Sequence, residues 1–214
     1  MEKTFSAVLF DLDGTLLNTN NLIIESFKHT FRTKFQKEIT EKDIYKHFGE
    51  PLKDTFFKYD PERVEELLVC YREHNLCHHD DLVEAFPNAV EVVEELLQRK
   101  VKIAIVTSKT KMTAEKGLKL FGLDKYISHC VALEDTTKHK PDPEPINKAL
   151  DLLGEGKRDQ VLMVGDSYYD IMAAKSAGVS SVGVKWSVHP WDKAPESPDF
   201  LIEDLKDLLD IVTG

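Results

Sequence analysis

Two hydrophobic patterns alternate along the chain, one nested inside the other. Residues 6–12 form an apolar run that ends at a polar turn, as expected for a central parallel strand covered on both faces. From about 17 to 82 apolar residues recur at helical spacing instead. Leu22, Ile23, Phe27 and Phe31 make one stripe, and Val64, Leu67, Leu68 and Tyr71 make another after Asp60-Pro61-Glu62. Pro51 and Pro61 each suit the first turn of a helix, and the segment carries no convincing strand, so an all-helical insert is expected.

Beyond Phe86-Pro87 the pattern becomes an alternation. A helix is expected over 89–99, a strand over 102–107, a helix over 113–120 ended by Gly122, and a shorter strand over 127–132. After the run Lys140-Pro141-Asp142-Pro143-Glu144-Pro145 come a helix to about 153, a strand over 161–164, a helix over 169–177 and a strand over 181–184. A last short strand at 200–202 and a helix over 205–211 complete the series. This alternation implies an α/β fold with a doubly wound parallel sheet, whose ligands sit at the carboxyl ends of the strands.

Composition narrows the reading only modestly. The chain of 214 residues is 42% hydrophobic and 31% charged, ordinary for a globular protein with one sizeable core and an inserted subdomain. Its formal net charge of -10, from 28 basic and 38 acidic residues, argues against nucleic acid or an anionic membrane as partner. An anionic small molecule is still admissible, because lysines, amides and a cation can reverse the field within one cleft. The start, Met1 to Ser6, shows no apolar signal region, and no run approaches the roughly 20 apolar residues of a membrane span. A cytoplasmic protein is therefore expected, with Cys70, Cys77 and Cys130 reduced.

Three stretches carry candidate chemistry at predicted strand ends, and one lysine adds to them. Asp11 and Asp13 flank Leu12 just before Gly14, which permits a turn that brings the two carboxylates together; one can attack phosphorus while the other handles a proton. As a bare Asp-Gly-Thr, the same residues read equally as a turn. Asp166 and Asp170 open a helix after another apolar strand, either as caps or as hard oxygen ligands for Mg²⁺. Thr107 and Ser108 lie between a strand and a helix, where a hydroxyl and free N–H groups suit a phosphate. Lys140, in its proline-pinned loop, can neutralise a transferring phosphoryl group.

In chain order, Asp11-Leu12-Asp13-Gly14-Thr15, Thr107-Ser108, Lys140-Pro141 and Gly165-Asp166-Ser167 with Asp170 resemble the four motifs of the haloacid dehalogenase superfamily. The resemblance spans nearly the whole chain. It implies a Rossmann-like catalytic core of residues 1–16 and 84–214 with a helical cap of 17–83 inserted after the first motif. It further implies that Asp11 is a nucleophile forming an aspartyl-phosphate and that Asp13 protonates the leaving group and then activates water. Thr107 and Lys140 would hold the transferring phosphoryl group, and Asp11, the Asp13 carbonyl and Asp166 would hold Mg²⁺. Asp170 is left open between direct ligation, ligation through water and orienting Lys140. An acid at Asp13 distinguishes phosphoryl chemistry from dehalogenation within this superfamily.

The insert points to a substrate. Asn18 to Phe27, Gly49-Glu50-Pro51-Leu52, Asp60-Pro61-Glu62-Arg63 and the proline run after Lys140 resemble bacterial pyrophosphatases related to phosphoglycolate phosphatase. That resemblance implies hydrolysis of pyrophosphate, with phosphoglycolate or another phosphomonoester as the alternative, a β-phosphoglucomutase-like mutase further off and a non-catalytic phosphate binder last. Gly49 and Glu50 would face the aspartates, with Lys53 as counterpart to the Glu50 charge. Cys70, His74, Cys77 and His78 share one helix face, read as a half-buried surface near the hinge rather than a zinc site. Trp186 and Trp191 read as packing or loop-anchoring residues.

Overall fold

The computed structural model describes residues 4–213. In chain order it runs β1 (Ala7–Phe10), β2 (Leu17–Asn18), α1 (Asn20–Phe35), α2 (Glu41–Tyr45), α3 (Leu52–Tyr59), α4 (Val64–Leu82), β3 (Glu84–Ala85), α5 (Ala89–Gln98) and β4 (Lys102–Val106). It continues through α6 (Lys111–Leu120), β5 (Cys130–Val131), α7 (Glu144–Leu153), β6 (Val161–Gly165), α8 (Tyr168–Ala177), β7 (Ser180–Val184), β8 (Phe200–Ile202) and α9 (Asp207–Thr213), with short 3₁₀ turns between some of them.

Six strands form one parallel sheet in the order β5-β4-β1-β6-β7-β8. The expected doubly wound sheet is therefore present. Every residue of β1 is fully buried, which is why its sequence is apolar without alternation. One face of the sheet packs Val8, Phe10, Ile103, Ile105, Leu162 and Val164 under α5, α6 and α9. The other packs Leu9, Ala104, Val106 and Met163 under α7 and α8. Both faces being covered leaves the strand ends as the place where polar groups emerge.

The α1–α4 helices bury a separate apolar cluster that includes Phe27, Phe31, Ile44, Phe56, Leu67 and Tyr71. Phe27 contacts Phe56 at 5.6 Å and Tyr71 at 5.1 Å between ring centroids, which knits α1, α3 and α4 together. Truncating the fully buried Phe56 to Ala would cost about 3–5 kcal/mol by loss of this packing. None of the described helices is long and apolar enough to cross a membrane.

The structure corrects the sequence reading in four places. The segment read as all helical begins with a two-residue strand, β2, whose Leu17 and Asn18 pair antiparallel with Ala85 and Glu84 of β3. Two residues are too few to show a period, but they tie together the two chain crossings between sheet and helices. Pro61 lies in the turn before α4 rather than in its first turn, because Asp60 accepts from Glu62 N at 3.2 Å and Arg63 Nε at 2.7 Å and delays the helix to Val64. Pro51 precedes α3 as its N-cap. The strand expected over 127–132 shrinks to Cys130–Val131, since it is the sheet edge and pairs only with β4.

Candidate active site

Asp11 follows β1, and its backbone N–H still donates to Val164 O at 2.9 Å, so it is fixed by the sheet itself. Beyond it the chain folds back tightly: Gly14 N donates to Leu17 O at 2.8 Å, and Leu16 and Leu17 N both donate to Leu12 O. Gly14 has φ +75°, and a Cβ there would stand 2.1 Å from Asp166 Oδ2, so only glycine lets the turn close onto Asp166. Trp186 Nε1 donates to Gly14 O at 3.0 Å, which anchors the turn from the loop after β7. Ser187 Oγ donates to the carbonyl of Asp166 from the same loop.

Lys140 is the buried hub. Its Nζ donates to Asp11 Oδ1 at 2.7 Å, to Asp170 Oδ1 at 2.6 Å and to Val106 O at 3.0 Å. Asp170 uses its second oxygen on Ser167, accepting from N at 3.0 Å and Oγ at 2.6 Å in a capping box that opens α8. Both Asp170 oxygens are thus engaged, Oδ1 by Lys140 and Oδ2 by Ser167. Burial works against the Lys140 charge, but Asp11 and Asp170 outweigh it and hold the ammonium above its usual range.

Carboxylate oxygens of Asp11, Asp166 and Asp170 lie within 4.8 Å of one another, all on buried residues. Burial pushes the Asp11 carboxyl up to about 7, against the pull of Lys140 and helped by repulsion from Asp170. Burial, then repulsion from Asp11 and Asp170, also raises Asp166 well above the usual carboxylate range. Three acids against one ammonium leave a negative surplus, and oxygen-only donors suit a hard divalent cation. The residues present thus fit the expected ion.

Asp13 departs from that group. Its carboxylate faces Lys109, with Oδ1 and Nζ 3.0 Å apart in an ion pair that is not an aligned hydrogen bond. Thr107 is buried at the end of β4, its N–H donates to Val131 O at 3.0 Å, and its Oγ1 accepts from Lys109 N at 3.2 Å. Ser108 Oγ is buried and has no hydrogen-bond partner. Asp11, Asp13, Thr107, Ser108, Lys109, Lys140 and Asp166 line one side of a cleft whose internal volume is about 140 Å³. That is below the roughly 300–1,000 Å³ of pockets for drug-sized ligands, so a small substrate is indicated.

The helical segment supplies the facing wall. Gly49 has φ +82° and sits so close to the core that a Cβ would meet Ser167 Cβ at 2.7 Å. Phe48 O lies 3.3 Å from His189 Nε2, so the same loop touches the core a second time. Gly49 and Glu50 line the cleft as expected. Lys53 does not. It is exposed, 3.8 Å from Glu65, and the charge of Glu50 is met by Lys58, with His47 Nδ1 at 3.1 Å and a hydrogen bond from Thr55 Oγ1 at 3.0 Å. Lys58 lies eight residues on from Glu50, so α3 brings it round two turns after the loop, whereas Lys53 points to a different side.

Sequence reasoning missed Lys109 and, on the helical wall, Asn20, Tyr71, Arg72 and Asn75, which line the cleft, as well as Ser187, which bonds the Asp166 carbonyl. Lys109 was discoverable from its place beside Thr107 and Ser108 in a strand-end loop. The residues from α1 and α4 carry no local signal, because only the docking of the helices aims them at the cleft. The helix face with Cys70, His74, Cys77 and His78 is half-buried, with Cys70 buried, His74 and His78 intermediate and Cys77 exposed: His74 stacks between His29 and His78 at 4.4 Å from each, and Ser26 Oγ lies 3.2 Å from its Nδ1. Among the described residues the aspartate group is the one cluster with metal-ligand spacing. Trp191 donates to Val184 O at 2.8 Å and, like Trp186, anchors a loop.

A parallel sheet with acids and a buried lysine gathered at its carboxyl edge defines a class that comparison with known proteins makes explicit. Residues 8–184 match the model of the haloacid dehalogenase-like hydrolases, and the chain belongs to that family. At 48% identity over 208 residues, covering 97% of this chain and 96% of the relative, it is similar to the pyrophosphatase PpaX of Halalkalibacterium halodurans. It is 43% identical over 210 residues to the pyrophosphatase PpaX of Bacillus cereus, covering 97% of this chain and 96% of the relative. Among solved structures, a putative phosphatase from Clostridium difficile superposes with a TM-score of 0.82 at 30% identity, covering 99% of this chain and all of that one.

Proposed function

We propose that the protein is a Mg²⁺-dependent phosphohydrolase that splits inorganic pyrophosphate through an aspartyl-phosphate on Asp11. The observation that carries this reading is the buried group of Asp11, Asp166, Asp170 and Lys140 at the carboxyl edge of the sheet, with Asp13, Thr107 and Ser108 beside it. The names of relatives at 43–48% identity support the substrate. Asp11 and Asp166 would hold the cation, which would supply charge neutralisation for the ionised carboxylates and the incoming phosphoryl oxygens.

In this reading Thr107, Ser108 and Lys140 grip the phosphoryl group to be transferred. An Asp11 oxygen attacks its phosphorus, the bond to the bridging oxygen breaks as the Asp13 carboxyl gives that oxygen its proton, and one phosphate departs. Water then attacks the phosphorus of the aspartyl-phosphate, Asp13 takes the proton, and the second phosphate leaves with Asp11 restored. Lys109 holds the Asp13 carboxylate at the edge of the cleft. The core of 1–16 and 84–214 carries this chemistry, and the cap of 17–83 closes over it to exclude bulk water. The three free cysteines are in keeping with a reducing cytoplasm.

Steady-state turnover with Mg²⁺ on pyrophosphate, phosphoglycolate and a sugar phosphate tests the proposal. The expected result is the highest kcat/KM on pyrophosphate. Higher efficiency on phosphoglycolate would replace the substrate, and isomerisation of the sugar phosphate faster than phosphate release would replace the reaction.

A further inference from the structure

The core side of the cleft holds two cations, and both are already committed: Lys140 to Asp11 and Asp170, and Lys109 to Asp13. A third lines the cleft from the opposite wall. Arg72, on α4, is exposed, and its side chain makes no ion pair or hydrogen bond among the described residues. The other four arginines of the chain are engaged: Arg32 with Glu38, Arg63 with Asp60, Arg99 with Glu95, and Arg158 with Asn147 and the Ala177 carbonyl. An arginine left unpaired in so acidic a chain, and facing a cleft that holds a surplus of carboxylates, has a fork of donors free for a ligand.

The surroundings of Arg72 match that use. Asn75 lies three residues further along the same helix and also lines the cleft, as do Tyr71 and, from α1, Asn20. These are uncharged polar groups, whereas the acids of the cleft sit on the core side or, as with Glu50, are tied to Lys58, His47 and Thr55. Ser108 Oγ, unpartnered on the core side, supplies a second free donor. The transferring phosphoryl group is served by the core, so what remains for Arg72 is the part of the substrate that does not react.

We infer that Arg72 is a specificity-determining residue that binds a second oxyanion on the substrate, the departing phosphate of pyrophosphate or the carboxylate of a small phosphoester acid. The inference rests on the phosphohydrolase reading of the core site. Arginine presents two parallel N–H donors to either group, and a neutral tail offers them nothing. The side chain acts from the helical wall, so its contribution arises when the cap lies over the core as Gly49 and Phe48 hold it here.

Arg72→Met and Arg72→Lys, assayed with Mg²⁺ on pyrophosphate, phosphoglycolate and phenyl phosphate, test the assignment. In Arg72→Met the kcat/KM on pyrophosphate should fall about 10–100-fold, chiefly through KM, as expected for loss of a charge-assisted contact. Its ratio to the kcat/KM on phenyl phosphate should drop at least tenfold, and Arg72→Lys should recover part of the loss. A greater loss on phosphoglycolate than on pyrophosphate would identify the oxyanion as a carboxylate, and the reverse would identify it as a phosphate. An equal change on all three substrates, or none on the two with a second anion, would overturn the role of Arg72 and leave the phosphohydrolase reading standing. A wild-type chain inactive on all three would overturn that reading itself and the inference with it.

Discussion

Lys140 and Arg72 face the same cleft from opposite walls and are held in opposite ways. Lys140 is 4% exposed and bonded to two carboxylates and a backbone carbonyl, each delivered by a different strand end or helix start. Arg72 projects from the surface of a helix with no partner. A group that must act on the same atoms in every turnover is preorganised by burial, whereas a group that tells one substrate from another keeps its donors free until the substrate arrives. On the proposed reading, the sheet edge would build the first kind of site and the helical wall the second.

The strongest way to break this contrast is at Asp11. Asp11→Asn keeps the side-chain shape and removes the nucleophile, so kcat on pyrophosphate should fall on the order of 10⁴-fold or more while the melting temperature holds. Activity within tenfold of wild type would remove Asp11 from its role. Next comes Lys140→Met, which leaves Asp11 and Asp170 buried without their ammonium. Urea unfolding should show a loss of about 3–5 kcal/mol together with loss of activity. A variant as stable as wild type would mean that the hub is not what holds the strand ends together.

The acid cluster predicts a pH dependence with a definite sign. The Asp11 carboxyl is raised from its ordinary 3.8 to about 7, and Asp166 moves in the same direction, so without a divalent cation the folded chain binds these protons more tightly than the unfolded one. Their contribution to stability is fully present below about pH 3.8 and is lost as pH rises through about 7. A cation binds the ionised form. Mg²⁺ at about 100 times its Kd should therefore add about 2.7 kcal/mol at pH 8 and distinctly less at pH 5. Equal stabilisation at both values, read by thermal melts, would show that the cluster is not the binding site.

Smaller effects belong to the helical wall. Gly49→Ala combines a positive φ with a collision against Ser167, and should cost about 1–3 kcal/mol or raise KM by holding the loop off the core. Lys53→Ala, which touches only exposed Glu65, should leave stability within about 0.5 kcal/mol and kcat/KM within about twofold. A large effect at Lys53 would restore it to the substrate wall and undo the assignment of Glu50 to Lys58.

What the sequence disclosed follows the same division. Apolar runs such as Val161–Gly165 and Ala7–Phe10 announce a buried parallel sheet because both faces of each strand must be covered, and acids or hydroxyls placed just after such runs can go nowhere but the sheet edge. Asp11, Asp13, Thr107, Asp166 and Asp170 were legible for that reason, and Lys140 from its proline-pinned loop. Strands β2 and β3 were not, since two residues have no readable period. The pairing of Glu50 with Lys58 instead of Lys53 was also hidden, because it depends on how α3 leaves the loop.

By itself, then, the sequence determined the layered α/β core, the helical insert and the chemical groups delivered to the carboxyl edge, through hydrophobic period and strand-end position. Only the tertiary structure decided which oxygens of Asp170 serve Lys140 and Ser167, that Lys109 stands against Asp13, and that Arg72 looks into the cleft. Apart from the local Ser167 cap, those relations join residues at least 30 positions apart in the core or, for Arg72, across two packed units, and no local pattern encodes the angle at which one helix meets the edge of a sheet.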